Sequence, residues 1–169
     1  MATKFHFEHR FRAASTAAVF AAYFDDAHRD EQDQAVDVAR REILRDEDTA
    51  ATRRRVSKVW PRRQLPAVVR AIMKGDLSYD ETIVWVKAAD RIDFDIRPTL
   101  LDGRARIDAV YQLRVDGPGA IVRSYHGEVE VDVKLVGGRV ERAIIADLER
   151  SLVTAATVTQ TYLDRGGPA

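Results

Sequence analysis

The longest stretch of this chain without a charged residue, Ser151–Leu163, is the second half of a helix-patterned segment, Val140–Asp164. In the first half Val140, Ile144, Leu148 and Leu152 recur against Glu141, Arg142, Glu149 and Arg150, the spacing of an amphipathic helix. A helix polar on one side early and uncharged all round later must have its C-terminal half enclosed. The preceding residues supply the enclosure. Leu77–Lys87, Arg91–Arg97, Ala105–Val115 and Ala120–Val133 read as strands, the third most plainly. There Ile107, Ala109, Tyr111, Leu113 and Val115 alternate with Asp108, Val110, Gln112 and Arg114. The breaks at Ala88-Ala89-Asp90, Pro98 to Gly103 and Gly117-Pro118-Gly119 leave room only for hairpins, hence an antiparallel meander. Such a sheet needs one face covered, and only the terminal helix is long enough to lie across it.

The N-terminal half adds to both layers. In Lys4–Arg12 the residues Phe5, Phe7, His9 and Phe11 alternate with polar neighbours, which makes a half-buried strand. Ser15 or Thr16 then caps a helix carrying Val19, Phe20, Tyr23 and Phe24. Asp25-Asp26 interrupts it, and Ala27–Ala35 forms a second, polar helix. Val38–Glu47 and Thr52–Trp60 are two further strands around a turn at Asp46-Glu47-Asp48-Thr49, and Pro61 ends the second. Arg40-Arg41 and Arg53-Arg54-Arg55 degrade their alternation and leave the register open. Pro66 suits the first turn of a short helix, Ala67–Lys74, stopped by Gly75, and Gly137-Gly138 hands the chain to the final helix. The fold class is therefore α+β: about six to seven antiparallel strands around a long C-terminal helix. Two short helices follow the first strand, and one short helix is inserted after the third. At 169 residues and 46% hydrophobic content this is expected to be one domain, residues 1–165, with 166–169 as a disordered tail.

Charge and missing residue types exclude several function classes. Lys+Arg and Asp+Glu both number 27, so a generally basic, DNA-binding chain is not expected. No uncharged stretch approaches the roughly 20 residues that cross a bilayer. The opening Met1-Ala2-Thr3-Lys4-Phe5-His6-Phe7-Glu8 lacks a secretory pattern, so a cytoplasmic location is expected. With no cysteine there is no disulfide, thiolate nucleophile or Cys-ligated zinc.

The element order resembles the helix-grip fold of the START-like (SRPBCC) superfamily, which includes the major birch allergen, polyketide cyclases and lipid-transfer domains. Three stretches carry a local likeness to an uncharacterised bacterial family of that superfamily: Phe5-His6-Phe7-Glu8-His9-Arg10-Phe11, Tyr79-Asp80-Glu81-Thr82-Ile83-Val84-Trp85, and Val131 to Glu141. The short helix after the third strand departs from the simplest plan. What the resemblance implies is a cavity between curved sheet and helix, holding a hydrophobic or amphipathic small molecule or lipid.

The residues agree with such a cavity. Phe94, Tyr111 and Tyr125 fall on inward phases, Ala155 and Ala156 lie opposite, and Trp60 and Trp85 are nearby. Interdigitation into a solid core is the alternative. Arg123 shares a phase with Tyr125, Val129, Val131 and Val133, which turns it inward unless Gly127 marks a bulge. An inward arginine needs a ligand's carboxylate or phosphate, or a protein carboxylate such as Glu81. The expected ligand-binding set is thus Trp60, Trp85, Phe94, Tyr111, Arg123, Tyr125 and Ala155.

No catalytic residue, cofactor or metal site is assigned. His6 and His9 point to opposite faces, and His126 shares a solvated strand face with Glu128, Glu130 and Asp132. Asp93/Asp95 alternate with apolar residues, and no triad order, HExxH, GxGxxG or phosphate loop occurs. The acid-free segment Thr49–Gly75 holds Arg53, Arg54, Arg55, Lys58, Arg62, Arg63, Arg70 and Lys74 beside an acid-rich Asp25–Asp48. Mutual pairing would absorb these charges; otherwise Arg53–Lys74 offers peripheral contact with an anionic surface, a protein or RNA. Three functions stay open: a binding protein, a polyketide cyclase/aromatase-type enzyme, and an interaction module using residues 53–74.

Overall fold

The computed structural model describes residues 1–62, 67–71 and 75–168. The elements run β1 (Thr3–Arg12), α1 (Thr16–Phe24), α2 (Asp26–Ala35), β2 (Val38–Asp48), β3 (Thr52–Pro61) and α3 (Ala67–Arg70). After these come β4 (Tyr79–Val86), β5 (Arg91–Pro98), β6 (Ala105–Val115), β7 (Ala120–Val131) and α4 (Gly137–Asp164). All strand pairs are antiparallel, in the order β1-β7-β6-β5-β4-β3-β2. This is the START-like helix-grip architecture that the element order implies. The expected role of Pro66 and the extension of α3 through 72–74 lie outside the described residues.

Local chemistry sets the element ends. Ser15 is the cap of α1: its Oγ accepts from the Ala18 N–H at 3.1 Å. Thr16 instead donates to Asp90 at 3.0 Å, tying α1 to the turn between β4 and β5. Asp25 caps α2 through the His28 N–H. Gly137 is already inside α4, three residues before the expected start. A Cβ there would stand 2.4 Å from the Val131 carbonyl oxygen, so glycine lets the helix begin hard against the end of β7. At the far end Gly166 and Gly167, in the segment expected to be a tail, donate to the carbonyls of Leu163 and Tyr162.

One expectation is corrected, and one open register is supplied. Glu141 is not on the solvent face of α4; it is 1% exposed. Its carboxyl oxygens accept from the Val131 N–H at 2.9 Å and the Thr3 hydroxyl at 2.5 Å. It thereby joins the start of α4 to β7 and β1. In β2 the register shifts between Val38 and Arg40 and again between Ile43 and Arg45, which is why no alternation is visible there. The core lies between sheet and helices: Phe5, Phe11, Ile92, Leu113, Ile121 and Val129 on the sheet, Val19 and Phe20 on α1, and Val140 on α4.

Candidate functional site

Alternation along β7 aims Arg123 and Tyr125 inward. Pairing of β7 with both neighbours runs without a shift, Gly127 lying opposite Phe5 of β1 and Ala109 of β6. No bulge intervenes. Tyr111 of β6 stands opposite Tyr125, and Phe94 of β5 packs edge-on against Tyr125 at 5.4 Å between ring centres. Ala155 and Leu152 of α4 face them. Between these groups lies a cavity of about 170 Å³, bounded also by Tyr23, His28, Arg41, Glu81 and Thr159. The structure thus brings together Phe94, Tyr111, Arg123, Tyr125 and Ala155.

Trp60 and Trp85 lie elsewhere. Trp85 stacks on Phe20 and Phe24 at 4.7 and 5.2 Å, fixing α1 to the sheet. Trp60 lies under the Arg40 guanidinium at 4.5 Å on the outer strands. Ala156 packs on the core without lining the cavity.

Arg123 is 4% exposed. Its Nη2 donates to His9 Nδ1 at 2.9 Å and to the Leu152 carbonyl at 3.1 Å, while its buried Nε has no partner among the described residues. Its guanidinium lies 5.3 Å from the Phe11 ring centre and 5.7 Å from that of Tyr111. No carboxylate of the described residues forms an ion pair with it. Glu81, the expected internal partner, belongs to Arg41. Burial lowers the pKa of Arg123, the neighbouring tyrosines opposing. Burial, with the Arg123 charge beside it, holds His9 down at about 4. Burial pushes Tyr111 up to about 12 and raises Tyr23 and Tyr125 too, so their hydroxyls stay protonated.

Arg41 was not among the residues expected here. It donates to both Asp33 oxygens at 2.8 and 3.0 Å and to Glu81 at 2.9 Å. Burial works against its charge, and the two carboxylates outweigh burial and raise its pKa. The double register shift in β2 hides its inward direction from any sequence pattern. His28, on α2, shares its Nε2 with the Thr159 hydroxyl at 3.0 Å, and Thr159 donates to the Ala155 carbonyl. The acid-rich and basic segments do pair: Asp46 holds Arg53 through both oxygens and Arg55 at 2.7 Å. Those hydrogen bonds, Arg53's foremost, keep the Asp46 carboxyl near 2. Arg63 and Lys74 lie outside the described residues. Among the described residues no group of three or more His, Asp or Glu is placed to hold a metal ion, and no helix is long and apolar enough to cross a membrane.

Solved structures share this frame. The norcoclaurine synthase of Thalictrum flavum, in complex with dopamine and hydroxybenzaldehyde, superposes with a TM-score of 0.69 at 13% identity, over 100% of this chain and 90% of that one. The Zhui aromatase/cyclase of Streptomyces sp. R1128 gives 0.65 at 11% identity, over 99% and 100%. A START superfamily protein of Mycobacterium smegmatis gives 0.60 at 10%, over 96% and 97%. At such identities the likeness is one of fold. No curated protein matches the sequence. Residues 6–163, nearly the whole START-like frame, match the sequence profile of the family described as "Protein of unknown function (DUF2505)", and the chain belongs to that family.

Proposed function

We propose that this protein binds a hydrophobic or amphipathic small molecule in the cavity between the sheet and α4. The observation that carries the reading is Arg123, a buried cation on the cavity wall with no carboxylate partner among the described residues. Leaving a buried charge unpaired costs several kcal/mol, so the sequence has a reason to hold it there beyond packing. The rings of Phe94, Tyr111 and Tyr125 supply apolar surface, and the arginine with the tyrosine hydroxyls supplies orientation. Two fold neighbours, a norcoclaurine synthase holding small aromatics and an aromatase/cyclase, are compatible with such use of the fold.

Filling the void tests the reading. Ala155 is 6% exposed on the α4 wall. Ala155→Trp should abolish uptake of an environment-sensitive dye and of any molecule that native mass spectrometry finds retained by the parent protein. Overpacking of a solid core typically costs ~1–3 kcal/mol, and a hollow site should lose less than that in a urea melt. Equal dye binding by variant and parent would overturn the proposal.

A further inference from the structure

Volume and charge together narrow the class of ligand. A dry cavity of about 150 Å³ is enough for benzene, whereas drug-sized ligands occupy about 300–1,000 Å³. At about 170 Å³ this cavity takes one ring with a small substituent, and an acyl chain or a sterol would have to rebuild its walls. Aromatic rings form one part of the wall: Tyr23 meets Tyr111 edge-on at 5.6 Å, and Phe94 meets Tyr125 in the same manner at 5.4 Å. Each pair is already in contact, and the surfaces its rings turn to the cavity can take a further ring beside them, stacked or edge-on.

The charges on the wall are answered with one exception. Arg41 is closed by Asp33 and Glu81, Arg55 by Asp46, and Arg29 by Asp26 and Asp30. Arg123 meets only neutral acceptors and ring faces. A planar guanidinium matches a carboxylate in shape as well as charge, and such a pair strengthens where water is excluded. Resting on the cavity-binding reading, we propose that the ligand is a single-ring aromatic monocarboxylate whose anionic end pairs with Arg123 and whose ring lies among Phe94, Tyr111 and Tyr125.

Calorimetric or NMR titration of the full chain with benzoate, benzamide, benzylamine, phenyl phosphate and laurate tests this. Benzoate should bind at least about tenfold more tightly than isosteric benzamide, the factor expected for losing one charge-assisted hydrogen bond. Benzylamine and laurate should not compete with it, and phenyl phosphate should bind less well because its bulkier head does not fit. Arg123→Leu should remove the preference for benzoate over benzamide by weakening the acid at least about tenfold more than the amide, whose carbonyl loses only a neutral hydrogen bond. Should that variant fail to fold, as read by near-UV circular dichroism, the parent's benzoate-to-benzamide ratio decides alone. Equal affinity for the two overturns the carboxylate assignment but keeps the cavity. Preference for phenyl phosphate or laurate overturns the ligand class. Binding of none of these probes, nor of benzene or the dye, removes the cavity reading and this inference with it.

Discussion

Arg123 and Arg41 face one cavity and differ in whether a carboxylate answers their charge. Only the first was legible in the sequence. Strict alternation from Arg123 to Val133 fixes its direction, and Gly127 does not disturb it. A Cβ on Gly127 would come within 2.2 Å of the Asp108 carbonyl oxygen, so the glycine marks close approach of β6 rather than a bulge. Arg41 gave no such sign, because two register shifts in β2 erase the period. The histidines give this scale its prediction. Burial and Arg123 lower His9 from 6.5 to about 4, and burial lowers His28. Unfolded chains therefore bind more protons than folded ones between those values, and stability should fall as pH drops from about 6.5 towards 4. Asp46, held near 2 against its ordinary 3.8, acts mainly below about pH 5, at the lower edge of that window. His9→Gln should flatten part of the slope in urea melts taken across this range; an unchanged slope would clear His9 of the effect.

Elements that pack on one face were readable, and those shaped by close backbone contact were not. The meander and α4 follow from alternation and from helical spacing. The start of α4 does not, because what permits it is the approach of Gly137 to the Val131 carbonyl. Glu141 reads as a surface residue by heptad position, yet its carboxyl group takes the Val131 N–H and the Thr3 hydroxyl. Glu141→Ala strands both donors in a buried place, and each such loss costs about 1–3 kcal/mol. The variant should be destabilised by at least ~1 kcal/mol in denaturant titrations, and Glu141→Gln, which keeps an acceptor for Val131, by less. A change under ~0.5 kcal/mol in both would show that the joint between α4, β7 and β1 contributes little.

For the whole molecule, α4 is the element the sheet grips. It covers β1 and β7 and packs on α1 and α2. A chain ended at Gly138 exposes the inner face of the sheet, with Phe5, Phe11, Tyr111, Tyr125 and Val129 no longer covered. Such a chain should lose its cooperative thermal transition and bind hydrophobic dyes, and a truncated form that melts cooperatively as a monomer would contradict that dependence. The helical spacing of α4 made this dependence legible, but the expected enclosure of the uncharged half is corrected: Val153, Thr157 and Thr161 are exposed, and only the side of Ala155, Thr159 and Tyr162 is buried. The cavity's residues were legible where they alternate on β5, β6 and β7. Trp85 shares the inward phase of Ile83 but is taken up by Phe20 and Phe24 of α1, while Trp60 alternates with buried Val59 onto the other face. Neither outcome follows from ring size and nearness in sequence.

The pairing of β1 with β7 reaches further than packing. Thr3 lies opposite Val129 and Arg12 opposite Ala120, so the first strand made is completed by the last. During synthesis, at about 5–20 residues per second, the apolar face of Phe5, Phe7 and Phe11 waits until β7 has emerged before it finds its neighbour. Closing so long a loop late places this molecule among high-contact-order proteins, which refold over milliseconds to seconds rather than microseconds. β1 is then a segment in need of protection until β7 is made, and permuting the chain so that β1 follows β7 directly would shorten that exposure.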